Sequence, residues 1–226
     1  MYTIIGNGRL AQHFICYFQA LGITFNHWYR SSNQPLAPYL ENSSHVLLLI
    51  TDQQIEPFII ENHKLLQQHH LIHCSGAHMS AFAYSAHPLM TFSHDLYTLE
   101  EYRKVPFILE KEGLPFAQLL PGLPNPHAHI SRADKPYYHA ICVMANNFTT
   151  LLWQKFFSEF QQRFDLPKEI AVPLLTQTFE NLQKDHNAAL TGPLVRNDLQ
   201  TIEKNLHALE GDNFYDVYRA FLKTEK

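Results

Sequence analysis

The residues of this chain whose types and spacing could do chemistry begin at its first strand. Met1 to Ala11 reads Met-Tyr-Thr-Ile-Ile-Gly-Asn-Gly-Arg-Leu-Ala. Gly6, Gly8 and Ala11 have the G-x-G-x-x-G/A spacing of a turn that cradles a pyrophosphate. Gly6 allows the tight strand-to-helix turn, Gly8 removes a Cβ that would block the phosphates, and Ala11 lets the helix approach the strand. Asn7, Arg9 and Leu10 complete the turn. Its free N–H groups lie at a helix N-terminus, where the backbone dipole favours negative charge.

The end of the next strand selects the dinucleotide. A ribose hydroxyl is held by Asp or Glu about 20 residues beyond the glycines, yet no acidic residue precedes Glu41. Arg30-Ser31-Ser32 stands there instead. A guanidinium can grip a 2′-phosphate through two parallel charge-assisted bonds, and two hydroxyls add to it. The cofactor expected is therefore NADP rather than NAD; the competing account of Arg30 is a solvated side chain in a polar turn. Thr51 and Asp52 follow the apolar run His45 to Ile50, and Ser75 and Gly76 follow Leu71 to Cys74. Strand ends of a doubly wound sheet face the ligand crevice, so these four are further cofactor contacts.

Hydride transfer is the chemistry of the nicotinamide; the protein must place a carbonyl or imine and handle one proton. Histidine suits that task near neutral pH. His87, after the Ser-Gly-Ala turn, and His139, at the start of a long helix, are the candidates, with Asn146 two turns further on holding a substrate oxygen or a water. Asn147 is a substrate contact, and Arg196 could clasp a carboxylate with two bonds. Each has a plainer account. His87 before Pro88 could cap an extended turn, His139 could face solvent, both asparagines could be ordinary polar helix positions, and Arg196 could make a surface salt bridge.

The elements that must position these groups follow from periodicity. Tyr2 to Ile5 is a strand, Leu10 to Leu21 a helix stopped by Gly22, and Ile23 to Tyr29 a second strand, a β-α-β unit of the kind the glycine turn requires. A short helix at Leu36 to Leu40, a doubly buried strand from His45 to Ile50, a helix from Gln54 to Gln68, and strands at Leu71 to Cys74 and Val105 to Leu109 continue the sheet. His87 falls in the loop between the last two. Four prolines between Pro115 and Pro126 mark the expected domain boundary, at residues 1–120 and 121–226. Beyond Asp134 strand signals vanish. Pro136 opens a helix on which Tyr138, Ile141, Ala145, Phe148, Leu152 and Phe156 keep helical spacing. Helices at Ala171 to His186, Asp198 to Leu209 (with Asn197 and Gln200 at capping-box spacing) and Phe214 to Leu222 follow. The fold class expected is α/β: a Rossmann-type parallel sheet followed by an all-helical domain.

Composition narrows the class. Of 226 residues, 46% are hydrophobic and 13% aromatic, and the net charge of -4 leaves no basic excess for nucleic acid. The longest apolar run, Val46 to Ile50, is far too short to cross a bilayer, and no charged-then-apolar leader is present. Three widely spaced cysteines suit reduced thiols in a cytoplasm. The 15 histidines include His69, His70 and His73 together and His127 with His129, but at no specific metal-binding spacing, so surface histidines and no metal site are expected.

Gly6-Asn7-Gly8-Arg9-Leu10-Ala11, Cys74-Ser75-Gly76-Ala77, His87-Pro88-Leu89-Met90-Thr91-Phe92, Tyr138-His139-Ala140 and Leu190-Thr191-Gly192-Pro193 occur in an order that resembles one family. It is that of the Rossmann-like proteins whose C-terminal part is domain of unknown function 2520, similar in architecture to pyrroline-5-carboxylate reductase, ketopantoate reductase and the 3-hydroxyacid dehydrogenases. The resemblance implies an NADP-binding domain, a helical domain that makes a homodimer, and a small-molecule substrate between them. Where the family has Arg-Gly-Asp, this chain has Arg196-Asn197-Asp198; Arg196 and Asp198 are kept as substrate contacts, while the missing glycine removes backbone freedom. Related dehydrogenases use a Lys-x-x-x-Asn helix pair that is missing here. The activity expected is NADP-dependent hydride transfer to or from a small carboxylate-bearing carbonyl, imine or hydroxy acid. The alternative is an NADP-binding sensor or interaction protein without turnover.

Overall fold

Apolar patterns of period two and period 3.6 alternate through the first 130 residues, and they build a single sheet. The computed structural model describes residues 1–223, which divide into two units, Met1–Thr150 and the chain from Leu151 onward. The first unit opens with β1 (Tyr2–Ile5), α1 (Arg9–Leu21) and β2 (Phe25–Trp28). It continues through α2 (Ala37–Leu40), β3 (His45–Leu48), α3 (Asp52–Glu61), α4 (His63–Leu66) and β4 (His70–His73). Then come β5 (Tyr84–Pro88), α5 (Leu99–Lys104), β6 (Phe107–Glu110), α6 (Phe116–Leu119) and β7 (His127–Ile130). The strand order is β2-β1-β3-β4-β5-β6-β7. β1 to β5 run parallel, β6 is antiparallel to β5, and β7 is parallel to β6.

Both faces of the sheet are covered, which is why β3 reads as an unbroken apolar run. Val46 and Leu48 pack with Ile5, Ile55 and Phe58 on one side. Leu47 and Leu49 pack with Tyr2, Ile4, Phe14 and Phe18 on the other. Each such side chain, fully buried, contributes roughly 1.5–3 kcal/mol.

The proline-rich segment does not end this unit. Phe116, Leu119, Leu120 and Leu123 are buried between its prolines. The buried Asn125 donates to the carbonyls of Tyr102 and Val105 at 2.7 and 2.9 Å and accepts from the Tyr17 hydroxyl at 2.7 Å. Residues 121–150, expected in the second domain, therefore belong to the first unit, and β7 adds a strand to its sheet. The prolines interrupt regular structure, but the apolar residues among them still have a core to enter. His87, expected in a loop, lies on β5, where Ala86 is paired with Leu109 and His87 with Ile108.

The long helix is interrupted as well. α7 (Lys135–Val143) passes into a π-helical turn at Met144–Phe148 before α8 (Thr149–Gln162). The second unit holds most of α8, then α9 (Val172–Lys184), α10 (Leu199–Ala208) and α11 (Tyr215–Phe221). Within it Lys155 joins Glu159 and Asp212 at 2.8 and 2.6 Å. Among its described residues only Ala171 is buried, while Phe164, Ile170, Leu174, Phe179 and Leu199 are exposed. No helix among the described residues is long and apolar enough to cross a membrane.

Candidate active site

The first unit carries two grooves at the carboxyl ends of its parallel strands. One, about 480 Å³, is lined by Gly6, Asn7, Gly8, Arg9 and Leu10 with Trp28, Arg30, Thr51, Gln54 and Phe58. Gly6 has φ +127°, and a Cβ there would run into the Leu49 carbonyl oxygen, so only glycine makes this turn beside β3. A Cβ on Gly8 would meet nothing within 4 Å: it would enter open space in the groove. Gly8 caps α1 with no side-chain hydrogen bond, leaving the first-turn N–H groups free for an anion. The residues therefore fit a dinucleotide pyrophosphate.

Several expected cofactor contacts are reassigned. Ala11 is fully buried against the core and supports the turn from behind. Arg30 lines the groove, mostly exposed, with Glu61 3.8 Å away. Ser31 and Ser32, in the 3₁₀ turn Arg30–Ser32, are not part of the lining, and the Ser32 hydroxyl accepts from the Gln34 N–H. Thr51 faces the groove. Asp52, one residue later in the first turn of α3, accepts from the Ser75 hydroxyl at 2.5 Å instead.

The second groove, roughly 670 Å³, is lined by His87, Leu89, Met90, Thr91, His139, Ile141, Cys142, Asn146 and Asn147 among others. Its size suits a small ligand. The groove brings His87, His139, Asn146 and Asn147 together. β5 supplies His87, the first turns of α7 supply His139, and the π-helical turn presents the two asparagines, joined by an Asn146 Nδ2 to Asn147 Oδ1 bond of 3.0 Å. A π turn inserts an extra residue into the helix and is frequent at functional sites.

The histidine pair is tightly seated. The rings stand nearly perpendicular with centroids 5.7 Å apart. Ser75 and Gly76, expected to touch cofactor, are largely engaged with protein groups. A Cβ on Gly76 would overlap the His139 ring and lie 3.1 Å from His87 Nε2. The Ser75 hydroxyl accepts from His78 N–H at 3.0 Å while donating to Asp52. His139 Nδ1 is buried without a hydrogen-bond partner.

Three further groups are not among the expected site residues, although periodicity places Tyr138 on the long helix. The Tyr138 hydroxyl is 2.7 Å from His87 Nδ1. Lys135 is buried and binds Glu110 at 3.0 Å and the His78 carbonyl. Arg132 stands 3.7 Å from the same buried carboxylate and binds the Ser80 carbonyl. Two signals were available: Glu110 ends an otherwise apolar strand, and Lys135, Tyr138 and His139 share one helix face.

These surroundings set the charge state of the site. Burial, the neighbouring His139 and Lys135 push the His87 imidazole down to about 4, opposed by Asp52. Burial raises the Tyr138 hydroxyl above its ordinary range, with Cys142 adding to the rise. His73, expected on the surface, is fully buried. Burial first and Lys135 second push it down to about 3. Its Nδ1 accepts the Ser75 N–H at 3.2 Å, leaving Nε2 buried and unpartnered.

The last two expected substrate residues lie in the second unit. Arg196 is exposed. Asp198 caps α10: its carboxylate accepts from the Thr201 N–H and hydroxyl at 3.1 and 2.8 Å. The cap is thus Asp198, not Asn197, because Asn197 takes a left-handed conformation with φ +50°. Asparagine tolerates that region, so the backbone shape that a glycine would allow is kept.

The family described as a domain of unknown function, DUF2520, matches residues 109–224, more than half of the chain. No curated protein matches. Among solved structures the chain resembles a provisionally assigned NADP oxidoreductase from Bacteroides fragilis, at 18% identity and TM-score 0.77, covering 99% of this chain and 96% of that one. An imine reductase from Streptomyces aurantiacus is similar at 13% identity and TM-score 0.66, covering 98% and 92%. Pyrroline carboxylate reductase from Plasmodium falciparum, solved with NADP bound, is similar at 12% identity and TM-score 0.58, covering 99% and 97%. At these identities the shared property is the fold.

Proposed function

This chain belongs to the DUF2520 family, and we propose that it is an NADP-dependent oxidoreductase that moves a hydride to or from a small carboxylate-bearing carbonyl, imine or hydroxy acid. The observation that carries this reading is the continuity of the carboxyl edge of the sheet. The phosphate-fitting turn after β1 and the histidine groove beside β5 are bridged across it by Asp52 on α3 and Ser75 after β4. The same fold in an NADP-bound reductase supports it.

The cofactor, when bound, supplies the hydride; this chain supplies the rest. Gly8 leaves room for the pyrophosphate, and Arg30 is the cation available to a 2′-phosphate. His87 and His139 offer ring nitrogens to the reacting oxygen or nitrogen, and Asn146 and Asn147 offer amides that orient the substrate. Leu89, Met90 and Ile141 give the groove an apolar wall beside those groups. Arg196 is the proposed carboxylate ligand. Exposed apolar side chains on the helical unit, Phe164, Ile170 and Phe179 among them, support a second copy of the chain as the partner that covers it. Three free cysteines support a reducing compartment, the cytoplasm.

Titration with NADPH and with NADH, followed by nicotinamide fluorescence, tests the cofactor. NADPH is expected to bind more tightly; equal binding of the two overturns the assignment of Arg30. Screening 2-keto, 3-keto and cyclic-imine acids for NADPH oxidation tests turnover, and saturable oxidation that is lost in His87→Ala is expected. NADPH binding with no turnover across the screen would favour a sensor.

A further inference from the structure

Lys135 is the one buried lysine or arginine among the described residues. We propose that Lys135, held by Glu110, is a positioning residue for the His87–His139 groove, acting through the first turns of α7 and through its charge. The use of the groove rests on the oxidoreductase reading above; the geometry does not.

Lys135, Tyr138, His139 and Cys142 occupy positions i, i+3, i+4 and i+7 of α7 and so form one stripe along it. The stripe is fastened at its start. Lys135 Nζ binds Glu110 at the end of β6 and the carbonyl of His78 in the β4–β5 connection. One turn later the Tyr138 hydroxyl meets His87 on β5, and His139 meets Gly76 after β4. Each contact pairs α7 with a different part of the sheet edge, so the anchor at Lys135 fixes the rotation and height at which the other two are made. Arg132, bonded to Ser80, braces the same carboxylate from the preceding turn.

The charge has a separate effect. A buried ammonium is poorly screened and acts over a longer range than a solvated one. Tyr138 and His139 from α7 touch His87, and Lys135 from α7 and Asp52 from α3 are the charges that act on it. Lys135 opposes a proton on the ring and Asp52 favours one. Burial first, then His139, then the ammonium leave His87 an uncharged imidazole, able to accept a proton from an alcohol or amine or to share its own N–H. Lys135 is outside the groove lining, so it acts through His87 rather than on the substrate.

The test is an NMR titration of the histidine rings in the full chain, labelled at histidine, without cofactor or substrate. His87 is assigned by the signal lost in His87→Gln. In Lys135→Met its midpoint is expected to rise by a fraction of a pH unit, since burial and His139 hold it down more strongly than the ammonium does. In Lys135→Arg, which keeps a permanent cation, it should stay near the wild-type value. No movement in Lys135→Met, or an equal movement in Lys135→Arg, would overturn the proposal. If Lys135→Met does not fold, Lys135→Gln, which keeps an N–H donor for Glu110 and the His78 carbonyl but carries no charge, is read instead; a rise is expected there, and its absence overturns the proposal too. NADPH titration of the wild-type chain reads the proposed function independently, so either idea can fail alone.

Discussion

Gly76 and His139 are packed so closely that a single methyl on the glycine would overlap the imidazole, at the nitrogen that has no hydrogen-bond partner. The same methyl would lie 3.1 Å from His87 Nε2. Gly76→Ala is therefore expected to displace the histidine pair and destabilise the fold by about 1–3 kcal/mol, the usual cost of overpacking. Thermal unfolding and the His139 ring shifts would show both. Unchanged ring signals would mean that the loop after β4 yields instead.

The histidines make stability depend on pH with a definite sign. In the folded chain His87 is held down to about 4 and His73 to about 3, against 6.5 for a free ring. Between those values the unfolded chain binds protons that the folded chain refuses, so stability falls as pH drops below 6.5 toward 4 for His87 and 3 for His73. Above 6.5 both states are neutral at these rings and neither contributes a slope. Each ring accounts for about 1.4 kcal/mol per pH unit inside its window. Urea unfolding across that range should show the decline, and His73→Leu and His87→Gln should each make it shallower.

The two glycines of the first turn separate folding from binding. Gly6→Ala strains a φ of +127° and drives a methyl into the Leu49 carbonyl, so a large loss of stability is expected. Gly8→Ala adds a methyl to open space. It should unfold at nearly the wild-type temperature but bind NADPH at least tenfold more weakly, a cost of about 1.4 kcal/mol. Wild-type NADPH affinity in Gly8→Ala would remove the cradle from the account.

Arg30 has a competing partner. Glu61 lies 3.8 Å away and both side chains are about 70% exposed, so their attraction adds little to stability. Arg30→Ala should leave the unfolding temperature alone and weaken NADPH while sparing NADH. Glu61→Gln, which releases the guanidinium, should tighten NADPH. A parallel loss of both nucleotides in Arg30→Ala would indicate a general electrostatic role.

Asn197 and Asp198 divide the start of α10 between them. Asn197 holds a left-handed backbone and Asp198 caps the helix. Asn197→Gly is expected to be nearly neutral and Asn197→Ala to cost about 1 kcal/mol. Asp198→Ala should cost a similar amount through the lost cap. Chemical denaturation of the three variants would rank them.

The sequence by itself determined the parts that depend on local chemistry. The glycine spacing, the apolar run of β3, Gly22 at the end of α1 and Pro136 at the start of α7 each act within a few residues, so their consequences are written in order along the chain. His87, His139, Asn146 and Asn147 could be picked out only as candidates, because histidine and asparagine serve equally well as turn, cap and solvent-facing residues; their shared groove is a tertiary fact. Tertiary structure decided what depends on residues far apart in sequence. The proline-rich segment joined the first unit because Phe116, Leu120 and Leu123 found a core to enter. His73 left the surface for the same reason. Ser75 and Asp52 were spent on each other, and Lys135 found Glu110 across 25 positions. A buried charge needs a partner, and no local pattern names one. The protonation state of His87 is accordingly a property of the assembled fold, set first by the loss of water around the ring, then by His139 and Lys135, with Asp52 opposing them.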